Sequence, residues 1–354
     1  MAAPHLLERF NDAQRQLVVQ TADLPLGTLA DMVGSGAIDL SPSFQRRERW
    51  NTEKQSALIE SFLLNVPVPP VYLSEQDDGT YTAIDGKQRL KAIHEFISNG
   101  LRLNGLDKLN VADGTTFNEL PKEISNALRL RPYIRVVTLL KQTDPGLKYE
   151  VFLRLNRGGE ILNGQEIRNV AYRGTLNNLI YELSEQPFLR AQLKIVNETS
   201  AAYKDMSDAE YVLRFFTLHD RWKGFSGKLA HEMNDFMEKY QRCRSVRIQE
   251  LRELFNVSIS RCEAFWGENA FKRSENGVWR DQFLAGMFDA QMLSVAELDN
   301  AEADRIQRNK RSISTTTQNL FSDAEFEKAV RTGTNTPARI RFRVNEVLKM
   351  LRSI

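Results

Sequence analysis

The spacing of apolar positions changes about halfway along the chain. Up to about residue 175, stretches with helical spacing of apolar residues alternate with short apolar runs rich in β-branched residues. Beyond that point only helix-like stretches follow, near 228–241, 246–266, 280–293, 297–311, 323–331 and 336–352. The pattern predicts an α+β N-terminal domain over residues 1–175 and an all-helical C-terminal domain over residues 176–354.

Within the N-terminal domain, the pattern predicts a helix, a β-hairpin and a second helix in succession. Thr52–Gln55 has the sequence of a capping box and begins the first helix. Val71–Leu73 and Tyr81–Ile84 have the composition of strands, with an Asp78-Gly79 turn between them. The second helix follows the hairpin directly.

The turn between the second strand and the second helix carries the most informative side chains of the chain. Its sequence is Asp85-Gly86-Lys87-Gln88-Arg89. The first N–H groups of a helix attract phosphate or another anion, and Lys87 and Arg89 add cationic donors there. Asp85 is suited to hold a divalent metal or to orient a water. Alternatively, Asp85 and Gln88, three positions apart, form a capping box that only stabilises the helix.

Two further polar turns place an amide beside an arginine. The first contains Gln45 and Arg46, and the other contains Asn156 and Arg157. Arginine binds phosphate oxygens bidentately, and amides read the edge of a base or ribose. Each turn alone is compatible with an ordinary solvated loop. The three turns together predict a shared nucleotide or nucleic-acid site.

Composition and missing motifs exclude several classes of protein. The formal net charge is only +2, so a nucleic-acid surface has to be a local patch. Two cysteines argue against a disulfide framework, and the four histidines never fall at metal-ligand spacing. The chain contains no Walker loop, no apolar run long enough to span a membrane and no apolar signal sequence. These features predict a soluble cytoplasmic protein without contact to a membrane.

The motifs of the N-terminal half resemble a known family. Phe44-Gln45-Arg46, Pro67-Val68-Pro69-Pro70 and Asp85-Gly86-Lys87-Gln88-Arg89 are similar to the N-terminal domain of GmrSD-type restriction endonucleases. The runs at 152–159 and 162–169 also match that family, so the resemblance extends from about residue 25 to 175. It implies a ParB/sulfiredoxin-like fold that binds a nucleoside triphosphate, together with Mg²⁺.

The resemblance also implies roles for individual residues. The family signature DGQQR is tied to nucleotide hydrolysis in phage-defence proteins that sense modified DNA. It corresponds here to Asp85–Arg89, with Asp85 as the catalytic residue and metal ligand. Gln45 and Arg46 are expected across the same pocket, and Asn156 and Arg157 are expected to bind the nucleotide. Lys87 stands where the family has glutamine; lysine still attracts phosphate but makes different hydrogen bonds, so the departure affects hydrolysis more than binding.

The C-terminal helices carry arginines where related restriction enzymes have a His-Asn-His nuclease domain or a nuclease partner. The histidine pattern supplies no such centre. A solvated helix face is the usual explanation of such arginine runs, and salt-sensitive contact with phosphates is the alternative. The candidate DNA-binding residues are Arg305, Arg308, Arg311, Arg339, Arg341 and Arg343.

Three functional hypotheses follow from these features. The first is a nucleotide-binding, NTP-hydrolysing component of a DNA-modification-dependent restriction or phage-defence system. The second is a non-catalytic DNA-binding module that recruits or regulates a separate nuclease subunit. The third is a metal-dependent ParB-like nuclease that uses Asp85 and Glu166.

Overall fold

The computed structural model describes residues 17–40, 50–155 and 163–354, together with Leu7, Phe10 and Asn11. The chain divides into two compact units, residues 1–171 and 172–354. The first unit combines a sheet with helices and the second is mostly helical, which confirms the α+β class. Gln45, Arg46, Asn156 and Arg157 lie outside the described residues.

The first unit is built on a mixed sheet of five strands. The strands are β1 (Val19–Pro25), β2 (Ile38–Asp39), β3 (Val71–Glu75), β4 (Tyr81–Asp85) and β5 (Tyr133–Leu139). Their order is β1-β5-β3-β4-β2, with β1 antiparallel to β5, β3 parallel to β5, β3 antiparallel to β4 and β2 parallel to β4. The predicted hairpin is therefore confirmed as β3 and β4, and Gly79 in its turn has a φ of 81°.

Six α-helices accompany this sheet among the described residues of the first unit. They are α1 (Leu26–Gly34), α2 (Thr52–Leu63), α3 (Lys87–Ile97), α4 (Lys122–Leu130), α5 (Pro145–Leu155) and α6 (Gly164–Ala171). Leu73 and Ala83 from the sheet share one apolar core with Ile59 of α2 and Ile93 of α3. The cap of α2 differs from the prediction, because Asn51 is the N-cap and accepts the backbone N–H of Lys54.

The second unit contains eleven helices and a small hairpin among its described residues. The helices are α7 (Thr175–Ser184), α8 (Pro187–Gln192), α9 (Ala201–Lys204), α10 (Ser207–Arg221), α11 (Leu229–Tyr240), α12 (Ser245–Trp266), α13 (Ala285–Ala296), α14 (Asn300–Arg308), α15 (Lys310–Leu320), α16 (Ala324–Arg331) and α17 (Pro337–Arg352). Helix α13 is central, since its residues from Gly286 to Val295 are all buried.

The hairpin of the second unit corrects the prediction of an all-helical domain. Strands β6 (Arg273–Glu275) and β7 (Val278–Arg280) pair antiparallel around a turn formed by Asn276 and Gly277. Both turn residues have positive φ, 53° and 74°, which is the conformation that Asn-Gly favours in two-residue hairpins. That dipeptide was the sequence signal for the hairpin.

Candidate functional site

A β-bulge directs Asp85 away from the apolar core. Leu73 of β3 pairs with Ala83 of β4. The residue before Leu73, Tyr72, pairs with Asp85, so Ile84 is the extra residue of the bulge. Directly paired residues of antiparallel strands lie on the same face. Because Leu73 and Ala83 face the core, Asp85 lies with Tyr72 on the opposite face.

Gly86 forms the turn that joins this strand to α3. Its φ is 89°, a left-handed conformation that L side chains rarely adopt. A Cβ atom at this position would lie 2.8 Å from Val71 Cγ2 and 3.1 Å from Arg89 Nε and Nη2. The tight packing leaves room only for glycine, so the first turn of α3 starts close against the sheet.

Asp85 and Arg89 form an ion pair across this turn. Arg89 Nη2 lies 2.8 Å from Asp85 Oδ2 and also donates to the Pro70 carbonyl at 3.2 Å. Asp85 Oδ1 accepts the Gly86 N–H at 2.7 Å. The Arg89 side chain is 14% exposed and the Asp85 side chain 40%, so the carboxylate remains open to solvent while the guanidinium is held in place. Among the described residues, Arg89 Nε is buried without a hydrogen-bond acceptor.

These contacts show that the capping-box interpretation is wrong. The N-cap of α3 is Gly86 rather than Asp85, and no side chain caps the helix. The Gln88 side chain does not turn back to the cap; its Oε1 accepts the backbone N–H of Trp50 at 3.3 Å. Gly86, as the N-cap, has no side chain that could cap the first turn of α3.

The same hydrogen bond connects α3 to the segment that carries Gln45 and Arg46. Trp50 is the first described residue after that segment, and its N–H lies against Gln88. Trp50 itself thus lies beside the first turn of α3. The position of the Gln45 and Arg46 side chains falls outside the described residues, and the shared pocket stays a prediction. Lys87, the first residue of α3, is half-buried.

The described residues that follow the third polar turn begin with a helix cap at Asn163. Asn163 accepts the backbone N–H groups of Gln165 and Glu166, each at 2.9 Å. The Glu166 carboxylate in turn accepts the Asn163 N–H at 2.7 Å, which completes a reciprocal capping box at the start of α6. Glu166 is fully buried.

Arg343 is not a surface residue, and its predicted contact with DNA is wrong. Its side chain is 0% exposed and forms an ion pair with Asp289, which lies on α13. It also donates to the carbonyls of Ala329 and Thr334, at 3.0 and 2.8 Å. Arg214 on α10 binds the same carboxylate through two hydrogen bonds of 2.6 Å. Arg214 and Asp289 were not among the sequence candidates.

The remaining candidate arginines fall into two groups. Arg305 donates to the Arg352 carbonyl at 3.1 Å, and Arg339 donates to the backbone and side chain of Thr332. Arg308, Arg311 and Arg341 are exposed and have no carboxylate partner in the described part of the chain. The structure therefore does not place the six arginines in one cluster.

The described residues contain neither a cluster of metal-ligating side chains nor a helix suited to span a membrane. No group of three or more His, Cys, Asp or Glu side chains in the described ranges is arranged to hold a metal ion. None of the described helices combines the length and the apolar content needed to cross a membrane.

Comparison with known proteins identifies the N-terminal part of the chain. Residues 29–173 match the family model of the GmrSD restriction endonuclease, N-terminal domain. No curated protein and no solved structure matches the chain. The match confirms the family resemblance of the sequence over these residues. The bulge, Gly86 and the Asp85–Arg89 pair lie within the match, and the arginines of α14 to α17 lie beyond it.

Proposed function

We propose that this chain is the nucleotide-binding and NTP-hydrolysing component of a DNA-modification-dependent restriction or phage-defence system. The match to a restriction endonuclease domain over residues 29–173 supports the restriction system. The single observation that carries the nucleotide site is the Asp85 turn. There, an uncapped helix start, a left-handed glycine and a fixed arginine come together within five residues.

The chemistry of the turn suits a triphosphate. Helix α3 has eleven residues, and its N-cap, Gly86, has no side chain that could cap the first turn. Gly86 brings that turn close to the sheet without a Cβ atom in the way. The positive end of the helix dipole and the Lys87 ammonium group favour an anion at the same place.

Arg89 is the best-positioned phosphate ligand. Two of its contacts, to Asp85 and to Pro70, fix the guanidinium before any ligand arrives. A positioned charge stabilises developing charge in phosphoryl transfer without reorganisation. The buried Arg89 Nε, which lacks an acceptor among the described residues, is consistent with a site whose ligand supplies one.

Asp85 has two possible roles, one in positioning Arg89 and one in binding a metal or a water. It holds Arg89, and its exposed carboxylate retains lone pairs for a metal or a water. Mg²⁺ bound there would neutralise charge on the phosphates. The nuclease hypothesis fits less well, because Glu166 is fully buried and caps α6.

Thermal unfolding with each nucleoside triphosphate and Mg²⁺ tests the proposal. A ligand at 100 times its Kd stabilises the folded state by about 2.7 kcal/mol, which corresponds to a rise in Tm of about 5–10 °C for a unit of this size. We expect Arg89→Gln to lose this rise. The matched control is Arg102→Gln, which removes an exposed arginine paired with Glu119 at 3.2 Å. A nucleotide-dependent rise that Arg89→Gln leaves unchanged would refute the site.

Asp85→Asn separates catalysis from positioning. Asparagine still accepts a hydrogen bond from Arg89 but has no charge. If binding persists and hydrolysis stops, Asp85 acts on metal or water; if both are lost, it acts through Arg89. Absence of any nucleotide binding, with duplex DNA still bound, would favour the second hypothesis, a non-catalytic DNA-binding module that recruits a separate nuclease.

A further inference from the structure

A polar groove lies on the second unit where α14 ends, α15 begins and the residues after α17 return to them. Its volume is about 800 Å³, and Arg308, Asn309, Arg311, Ser312 and Thr316 are among the residues that line it. Arg308 is the last residue of α14, and Arg311 lies in the first turn of α15. The break between the two helices thus brings both arginines to the same depression.

The polar groups between the two arginines already have partners within the protein. Asn309 donates its amide to the Ile354 carbonyl at 3.2 Å. The hydroxyls of Ser312 and Thr316 donate to backbone carbonyls at 2.9 and 2.7 Å. These hydrogen bonds hold the polar side chains of the groove in place.

The guanidinium groups of Arg308 and Arg311 differ from these polar side chains in their hydrogen bonding. Both side chains are exposed, and within the described residues neither has a carboxylate or carbonyl partner. Their neighbour Arg305 is engaged by the Arg352 carbonyl, and Arg352 itself is paired with Glu302 at 3.0 Å. Glu302 is thus already paired, while the exposed guanidinium groups of Arg308 and Arg311 remain open to an external anion.

We infer that this groove binds backbone phosphates of duplex DNA through Arg308 and Arg311. The planar guanidinium presents paired donors that match phosphate oxygens, and contacts of this kind position a protein on DNA without reading its sequence. The choice of DNA as the source of phosphate rests on the proposed function in restriction. A chain with a net charge of only +2 gains little from general attraction, so a local pair of arginines has to supply the contact.

Binding of an unmodified DNA duplex as a function of salt tests this inference. The measurement uses the full chain without nucleotide and compares wild type with the double variant Arg308→Gln/Arg311→Gln. The matched control is Arg131→Gln/Arg244→Gln, which removes two exposed arginines outside the groove. Each double variant lowers the formal net charge from +2 to 0, so any difference between them reports position.

We expect the log–log salt slope to fall by roughly 0.9 for each lost phosphate contact, about 1.8 in the groove variant, and to change little in the control. Equal slopes in the two double variants, or no binding of DNA by wild type, would overturn the inference. Inorganic phosphate that stabilises wild type but not the groove variant, with equal DNA slopes, would assign the groove to a small anion and also overturn it. Nucleotide-dependent unfolding of the same variants reports the Asp85 site separately, so failure of one proposal is distinguishable from failure of the other.

Discussion

Replacing Gly86 by alanine tests whether the Asp85 turn is built around a missing side chain. The substitution adds one methyl group where the backbone has a φ of 89°. That methyl group would lie 2.8 Å from Val71 Cγ2, closer than such atoms approach in folded proteins, and 3.1 Å from two nitrogens of Arg89. Either the backbone shifts, or Val71 and Arg89 move.

Gly79 provides the matched control, because it separates backbone strain from packing. Its φ is 81°, nearly that of Gly86, but a Cβ atom there meets nothing within 4 Å. The left-handed conformation costs an L residue about 1–2 kcal/mol, so this is the full expected loss of stability for Gly79→Ala. Overpacking adds about 1–3 kcal/mol. Gly86→Ala should therefore destabilise the first unit by about 2–5 kcal/mol.

Hydrogen exchange along α3 measures the effect where it arises, and urea denaturation followed by circular dichroism measures the global loss. Because α3 begins at the substituted turn, its amide protection should fall more in Gly86→Ala than in Gly79→Ala. Nucleotide-dependent stabilisation should disappear only in Gly86→Ala, since Arg89 is displaced. Equal free-energy losses for the two variants would show that Val71 and Arg89 yield without cost, and the account of a fixed arginine would fail.

Two further predictions concern charged groups in the second unit. Hydrogen bonds from Lys194 and Lys272 lower the pKa of the exposed Asp281 to about 2. The ionised Asp281 therefore stabilises the fold above about pH 4, and this contribution is lost as the pH falls towards 2. The difference in unfolding free energy between wild type and Asp281→Asn should shrink over that range, and a constant difference would contradict the prediction. Asp289→Asn leaves two buried guanidinium groups without a counter-charge and should lower the unfolding free energy, measured by urea denaturation, by about 3–5 kcal/mol. Arg343→Met leaves one arginine paired with Asp289 and should lower it less. A larger loss in Arg343→Met than in Asp289→Asn would refute this prediction.

The sequence predicted the elements around the Asp85 turn because their signals are local. Asp78-Gly79 marks a hairpin turn, and the apolar spacing after Arg89 marks a helix. The role of Asp85 was less predictable, since a carboxylate three residues before an amide has the spacing of a capping box. The bulge at Ile84 determines which face of the sheet Asp85 lies on. It depends on the pairing of β4 with β3, which lies ten residues earlier in the chain. Spacing along one segment carries no information on that register.

The sequence contained evidence that Arg343 is buried, but the spacing of the neighbouring arginines led to its prediction as a DNA contact. Arg339, Arg341 and Arg343 occupy alternate positions, which draws attention to them as one cluster. On a helix, however, residues three and four apart share a face. Arg343 therefore lies on the face of Ile340 and Val347, both fully buried, and apolar spacing alone would have assigned it to the interior.

The partner of Arg343, in contrast, was beyond prediction from sequence. Asp289 is separated from it by 54 residues, and Arg214 is 75 residues away from Asp289. Two guanidinium groups meet one carboxylate, which leaves an excess positive charge in the interior. Burial lowers the pKa of Arg343.

The excess charge is met by oriented dipoles rather than by a second acid. Arg343 donates to the Ala329 and Thr334 carbonyls, and Arg214 donates to the Asn335 side-chain oxygen at 3.1 Å. Each acceptor lies at the end of α16 or in the segment that leads to α17. The cluster thus joins α10, α13 and α17 and also fixes the connection before α17. An arginine with this many directional partners orients its helices, which explains why it occupies an otherwise apolar face.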